Sequence, residues 1–141
     1  MRRILVATDN SDSAFRAVEA AAELARRAGA ALIIVNVEQG YLDPALGPLE
    51  TRDGIGDILE ARSHEILLRA KEQAETIGVA RIQTISGLGD AAAFILDVAK
   101  REGVDLIVVG KRGRGRLAGL LLGSVSQHVV NLAPCSVQVV P

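Results

Sequence analysis

Short blocks of branched aliphatic residues recur along this chain, and longer segments with helical spacing separate them. The first block is Ile4-Leu5-Val6-Ala7, inside residues 3 to 8. An unbroken apolar run this short reads as a strand buried on both faces. The cap-rich cluster Asp9-Asn10-Ser11-Asp12-Ser13 follows, and Ala14, Val18, Ala21, Ala25 and Ala28 then recur at helical spacing until Gly29. A second branched run spans 31 to 37. Residues 38 to 53 carry Gly40, Pro44, Gly47 and Pro48 and form the longest loop candidate. Ile55, Leu59, Ile66, Ala70, Ala74 and Ile77 fit a long second helix ending at Gly78, and 81 to 86 read as a strand. Asp90 caps a third helix carrying Ile95, Val98 and Ala99, which Gly103 ends. Asp105 to Val109 is the clearest strand and ends at Gly110. A short helix from about 124 to 132 stops at Pro134, and Cys135 to Val140 completes the pattern.

Strands alternating with helices imply right-handed crossovers and an all-parallel sheet. The expectation is a single α/β domain over 1–141, with an open five-stranded sheet in the order 3-2-1-4-5 and helices on both faces. Such sheets take ligands at the carboxyl ends of their strands, where the strand order reverses. A length of 141 residues suits one domain. Aromatics make up only 2% of the chain, so small and branched aliphatics must fill the core. The net charge of −1 gives no general attraction to nucleic acid. A single cysteine, Cys135, excludes an internal disulfide and fits a reducing compartment. The apolar run after Arg2-Arg3 ends at Thr8-Asp9, too early for a signal peptide, and no apolar stretch is long enough to cross a membrane. The cytoplasm is the expected location.

The segment from 105 to 140 carries the most chemistry. Its spacing is Gly110-x2-Gly113-x9-Gly123-Ser124. Glycines at a strand end and in the turn after it let main-chain N–H groups approach a ligand. Gly123-Ser124 stands at a helix amino terminus, where unpaired N–H groups and the helix dipole favour an anion. Ser124 and Ser126 add hydroxyl donors, and Lys111, Arg112, Arg114 and Arg116 crowd the intervening loop. The pattern suggests a polyphosphate laid across backbone N–H groups. It is neither a Walker A loop nor the dinucleotide Gly-x-Gly-x-x-Gly.

That spacing, followed by Val125-Ser126 and Ala133-Pro134-Cys135-Ser136-Val137-Gln138-Val139-Val140, resembles the carboxyl-terminal signature of the universal stress proteins. Ile4-Leu5-Val6-Ala7-Thr8-Asp9 is similar to that family's amino terminus, and Asp105 to Gly110 matches its fourth strand. The resemblance covers essentially the whole chain and implies a Rossmann-like domain of the ATP-binding subgroup. It implies that Asp9 contacts the nucleoside, that Val37 borders adenine and that the base packs at Ala7. It places Val109, Gly110 and Gly113 at ribose and phosphates, and Gly123 and Ser124 at the phosphates with Val125 and Ser126 just behind, with Mg²⁺ accompanying the ATP. It also implies a homodimer through the carboxyl-terminal strand. Three positions depart from the family's common pattern: Asn10 where Gly or Phe is frequent, Asn36 where His is, and Ser136 where Pro is.

Plainer readings stand beside these. Asp9 also fits a simple cap of the first helix or of its turn, the paired glycines also fit turns, and a basic loop is often just a solvated face. No aromatic interleaving supports nucleic-acid binding. His64 and His128 lack spaced partners, and Cys135 reads as a small core residue. No side-chain set reads as catalytic, so ATP hydrolysis is expected to be weak at most. The expected role is a nucleotide-dependent stress-response regulator, with a possible protein partner. The alternative is a protein-interaction domain of the same fold that uses no nucleotide.

Overall fold

The computed structural model describes residues 1–39, 55–111 and 122–141. In chain order the elements are β1 (Arg3–Ala7), α1 (Asp12–Ala28), β2 (Ala31–Glu38), α2 (Ile55–Ile77), β3 (Ile82–Leu88), α3 (Ala91–Arg101), β4 (Leu106–Gly110), α4 (Ser124–Leu132) and β5 (Ser136–Val140). Among the described residues the strands form one sheet in the order β3-β2-β1-β4-β5, with every neighbouring pair parallel. The architecture and strand order expected from the sequence are those observed.

Alternation along the strands splits the core in two. Ile4, Val6, Leu32, Ile34, Leu106 and Val108 face α1 and α2. Leu5, Ile33, Val35, Ile107 and Val109 face α3 and α4. Both faces of β1, β2 and β4 are covered, which is why these strands are unbroken apolar runs. The α1 contact surface is almost entirely alanine: Ala14, Ala17, Ala21, Ala22 and Ala25 are buried, with Val18 among them. Small side chains let this helix lie close to the sheet. The Ser11 hydroxyl caps α1 by accepting from Ala14 N at 3.1 Å, and Gly29 closes it in the left-handed conformation at φ 65°.

Two strand boundaries lie beyond the sequence pattern. The second strand continues through Glu38, which the composition assigned to the following loop. Glu38 pairs in register with Leu88, and its carbonyl accepts from Gly89 N at 2.9 Å. Its buried carboxylate is bound by the Arg62 guanidinium of α2, through Nε at 3.2 Å and through Nη2. The third strand runs to Leu88, which pairs with Glu38, and Gly87 within it leaves room for Phe94, whose ring atoms lie 2.6 Å from where a Cβ would stand. The fifth strand begins at Ser136, one residue later than Cys135.

At the amino edge of the sheet, the Asp105 carboxylate accepts from the backbone N–H of Arg2 at 2.6 Å and of Arg3 at 2.9 Å. Asp105 N in turn donates to Arg3 O at 2.9 Å, so this residue ties the start of β1 to the start of β4. The bonds from Arg3 and Arg2 lower the Asp105 pKa below its ordinary value. A carboxyl that is more acidic folded than unfolded stabilises fully above the unfolded pKa and loses that contribution as pH falls through the folded one. Asp105→Asn is therefore expected to lower the urea midpoint at neutral pH. The gap to wild type should hold down to about pH 5 and close below about pH 4. A gap independent of pH would show that the carboxylate charge plays no part.

Candidate functional site

The carboxyl ends of β1 and β4 are neighbours at the centre of the sheet, and their connections leave to opposite faces. From β1 the chain enters α1 on one face. From β4 it reaches α4 on the other. This is the reversal point at which open parallel sheets hold ligands.

The β1 exit is held by a succession of short-range bonds. Thr8 N donates to Val35 O at 2.9 Å, one step past the last β1–β2 residue pair, Ala7 and Val35. Asn10 has φ 68°, and its N–H donates to Thr8 Oγ1 at 3.2 Å. Among residues with a side chain, asparagine is one of the few that tolerate this left-handed conformation, so Asn10 supplies here what glycine supplies elsewhere. The Asp9 carboxylate accepts from Ser11 N at 3.0 Å. Asp9 therefore shapes the turn, as the plainer reading of this residue holds, while standing at the carboxyl end of the central strand.

The two central strands part immediately afterwards. In a parallel ladder the N–H and C=O of one residue point to the same neighbour, and successive residues alternate. In β2, Ala31 and Val35 bond toward β1, whereas Leu32 and Glu38 bond toward β3. Val37 therefore directs its backbone groups toward β1, but β1 has already turned away. The Thr8 carbonyl, which a continued ladder would offer to Val37 N, accepts instead from Asn36 Nδ2 at 2.8 Å. The β1–β2 ladder therefore stops without a Val37–Thr8 bond, which leaves a slot in the bonding pattern at the strand ends, beside Ala7 and Val37. Both are half-buried and pack on the α3/α4 side of the core, as do Val109 and Val125.

The β4 exit and α4 are joined through the glycines. Gly123 is buried, and its N–H donates to Lys111 O at 2.8 Å. The Ser126 hydroxyl is buried and donates to the Gly110 carbonyl. Ser126 thus ties α4 to the end of β4, just behind the Gly123-Ser124 pair that the family resemblance assigns to phosphates. Ser124 is exposed at the first position of α4. The helix begins at Gly123 with no side-chain cap, whereas Ser11 caps α1 and Asp90 caps α3. Its first N–H groups have no side-chain acceptor of their own, and the positive end of the helix dipole adds to their pull on an anion. Gly113 lies outside the described residues, as do Arg112, Arg114, Arg116 and the loop from 40 to 53.

Gly110 has a structural reason to be glycine. A Cβ there would stand 2.5 Å from Ser13 Oγ and 3.0 Å from the Ser13 backbone carbon. The Ser13 hydroxyl donates to Val140 O at 3.1 Å, and that carbonyl also accepts from Lys111 N at 2.6 Å. The amino terminus of α1, the end of β4 and the end of β5 thus meet at one point. Sequence reasoning did not single out Ser13. Its partner lies 127 positions away, and no local pattern signals such a contact.

Asp9 and Asn10 also border an open depression of about 200 Å³ whose far wall is α2, with Arg62, Ile66 and Arg69. None of these α2 residues was selected from the sequence, where they read as ordinary helix positions. Cys135 packs against the α3/α4 core, and burial, followed by the charge of Asp105, pushes its thiol pKa up. His128 is exposed on α4, and His64 faces a separate depression between α2 and β3. Among the described residues no three His, Cys, Asp or Glu side chains are gathered as a metal would need.

Gly110→Ala is expected to destabilise the protein by about 1–3 kcal/mol in chemical denaturation, because the new methyl meets backbone as well as side chain. A loss under about 0.5 kcal/mol would show that α1 can shift away freely.

Comparison with known proteins matches residues 1–141 to the model of the universal stress protein family. Universal stress protein YxiE of Bacillus subtilis is 37% identical over 145 residues, covering 98% of this chain and 97% of that protein. A universal stress protein solved in complex with cAMP superposes with a TM-score of 0.76 at 29% identity, covering 99% of this chain and 95% of that one. The universal stress protein from Archaeoglobus fulgidus in complex with dAMP gives 0.73 at 27% identity, covering 100% and 98%.

Proposed function

The chain belongs to the universal stress protein family, and on that premise we propose that it is an ATP-binding regulator whose nucleotide occupancy alters its shape or its partners. The observation that carries this reading is the parting of β1 and β2 at the sheet's reversal point. It turns the Val37 backbone toward a slot edged by Ala7, on the same carboxyl edge as the uncapped start of α4. A flat base with edge donors and acceptors suits such a slot, and a phosphate suits a helix amino terminus. Two structural neighbours described as cAMP and dAMP complexes support adenine nucleotides as the ligand class.

In this reading Ala7 and Val37 bracket adenine, and Asp9 stands by the ribose. Val109, Gly110 and Gly113 border ribose and phosphates. Gly123, Ser124 and Val125 present the first turn of α4 to the phosphate chain, and Ser126 holds that turn against Gly110. Bound Mg²⁺ would offset the charge of the triphosphate. In this reading nucleotide binding is the main role, with hydrolysis weak at most. The proposed location is the cytoplasm. A protein-interaction domain that uses no nucleotide is the competing reading, and the glycine-serine pair at α4 favours the first.

ATP with Mg²⁺ is expected to bind wild type at micromolar level in calorimetry, while a Gly113→Ala/Gly123→Ala variant that remains folded binds at least about tenfold more weakly. A folded wild type that takes up neither ATP, AMP nor cAMP would leave the protein-interaction reading. We further propose that the chain is a homodimer through β5, the sheet's edge beyond β4. An uncovered strand edge is a template for pairing. Sedimentation at micromolar concentration should give twice the chain mass of 14.8 kDa, and a monomer there would refute the pairing.

A further inference from the structure

We infer that Asn36 is a positioning residue that keeps the slot between the carboxyl ends of β1 and β2 open by taking the hydrogen bond that would otherwise close it. The inference rests on the proposed reading of this slot as the seat of the adenine base.

Asn36 stands on β2 opposite Ser86 of β3 and points to the α1/α2 face, among the positions occupied lower in the strand by Leu32 and Ile34. It is 1% exposed. One end of its amide is used: Nδ2 donates to Thr8 O at 2.8 Å. The other end is not, because Oδ1 is buried with no hydrogen-bond partner among the described residues. A buried acceptor without a partner costs stability, and a leucine of similar size would avoid that cost. The asparagine is therefore a poor choice for the core and needs another reason.

The strand register supplies one. The β1–β2 ladder runs regularly from Arg3 with Ala31 to Ala7 with Val35, and Thr8 N makes the next bond to Val35 O. The bond after that belongs to Val37 N and Thr8 O. Asn36 Nδ2 holds that carbonyl instead, so the side chain of one residue displaces the backbone N–H of the next. Thr8 is itself buried, so its carbonyl must find a partner. Without Asn36 the nearest candidate is Val37 N, and making that bond would draw the strands together over one more step. The groups that would receive the base would then be consumed by the sheet. Because the peptide is planar, holding Thr8 O also sets the direction of Asp9 N.

The test has two readouts. In ligand-free protein, Asn36→Leu should slow hydrogen exchange at the Val37 amide by on the order of tenfold as that amide enters the ladder. The same variant should bind ATP at least about tenfold more weakly than wild type. Asn36→His, whose ring N–H can donate to the same carbonyl, should keep wild-type exchange at Val37 and wild-type binding. Unchanged Val37 exchange in folded Asn36→Leu overturns the inference, as does slowed exchange in Asn36→His. If the leucine variant does not fold, Asn36→Ala is read in the same way. If wild type takes no adenine nucleotide, the proposed function fails, while Val37 exchange still decides the role of Asn36.

Discussion

Backbone hydrogen bonding through the middle of a sheet that water does not reach governs this molecule. β1 must satisfy its N–H and C=O groups between β2 and β4, because helices cover both of its faces. Inside the sheet that demand leaves nothing for a ligand. At the carboxyl edge it lapses, one residue at a time, and the features of the candidate site are the ways in which it lapses. Thr8 makes its last bond to β2, Asn36 caps the ladder with a side chain, and Asn10 turns the chain away. The site is thus the ordered ending of the central strand rather than a cavity carved into the core.

The same edge shows how closely the supporting contacts are shared. Val140 O accepts from both Ser13 and Lys111, Lys111 O accepts from Gly123, and Gly110 O accepts from Ser126. The amino terminus of α1, the exit of β4, the start of α4 and the end of β5 are therefore one hydrogen-bonded unit. Several residues of the site that the family resemblance implies, Gly110 and Ser126 among them, carry structural duties here. Gly110 leaves room for Ser13 where a Cβ would stand, and its carbonyl is held by Ser126.

Much of the fold was legible because local chemistry repeats. Ile4 to Val6, Leu32 to Val35 and Leu106 to Val109 are buried on both faces and so lack polar alternation. Ser11, Gly29 and Asp90 act as caps where the pattern placed helix ends. Glu38 was misplaced in a loop because a carboxylate in a core strand has no local signal; the Arg62 guanidinium that binds it comes 24 residues later. Ser13 escaped notice for the same reason.

By itself the sequence determined the number and kind of elements, their parallel arrangement and the motif around Gly110, Gly123 and Ser124. These follow from residue spacing and from turn and cap chemistry, which act over a few positions. Only the tertiary structure decided what those residues touch. It decided that Gly110 makes room for Ser13, that Ser126 binds Gly110, and that Asn36 replaces a ladder bond at Thr8. The physical reason is distance along the chain. Hydrogen bonds between residues 16, 28 and 127 positions apart exist only once the strands are in register, and register is a property of the assembled sheet.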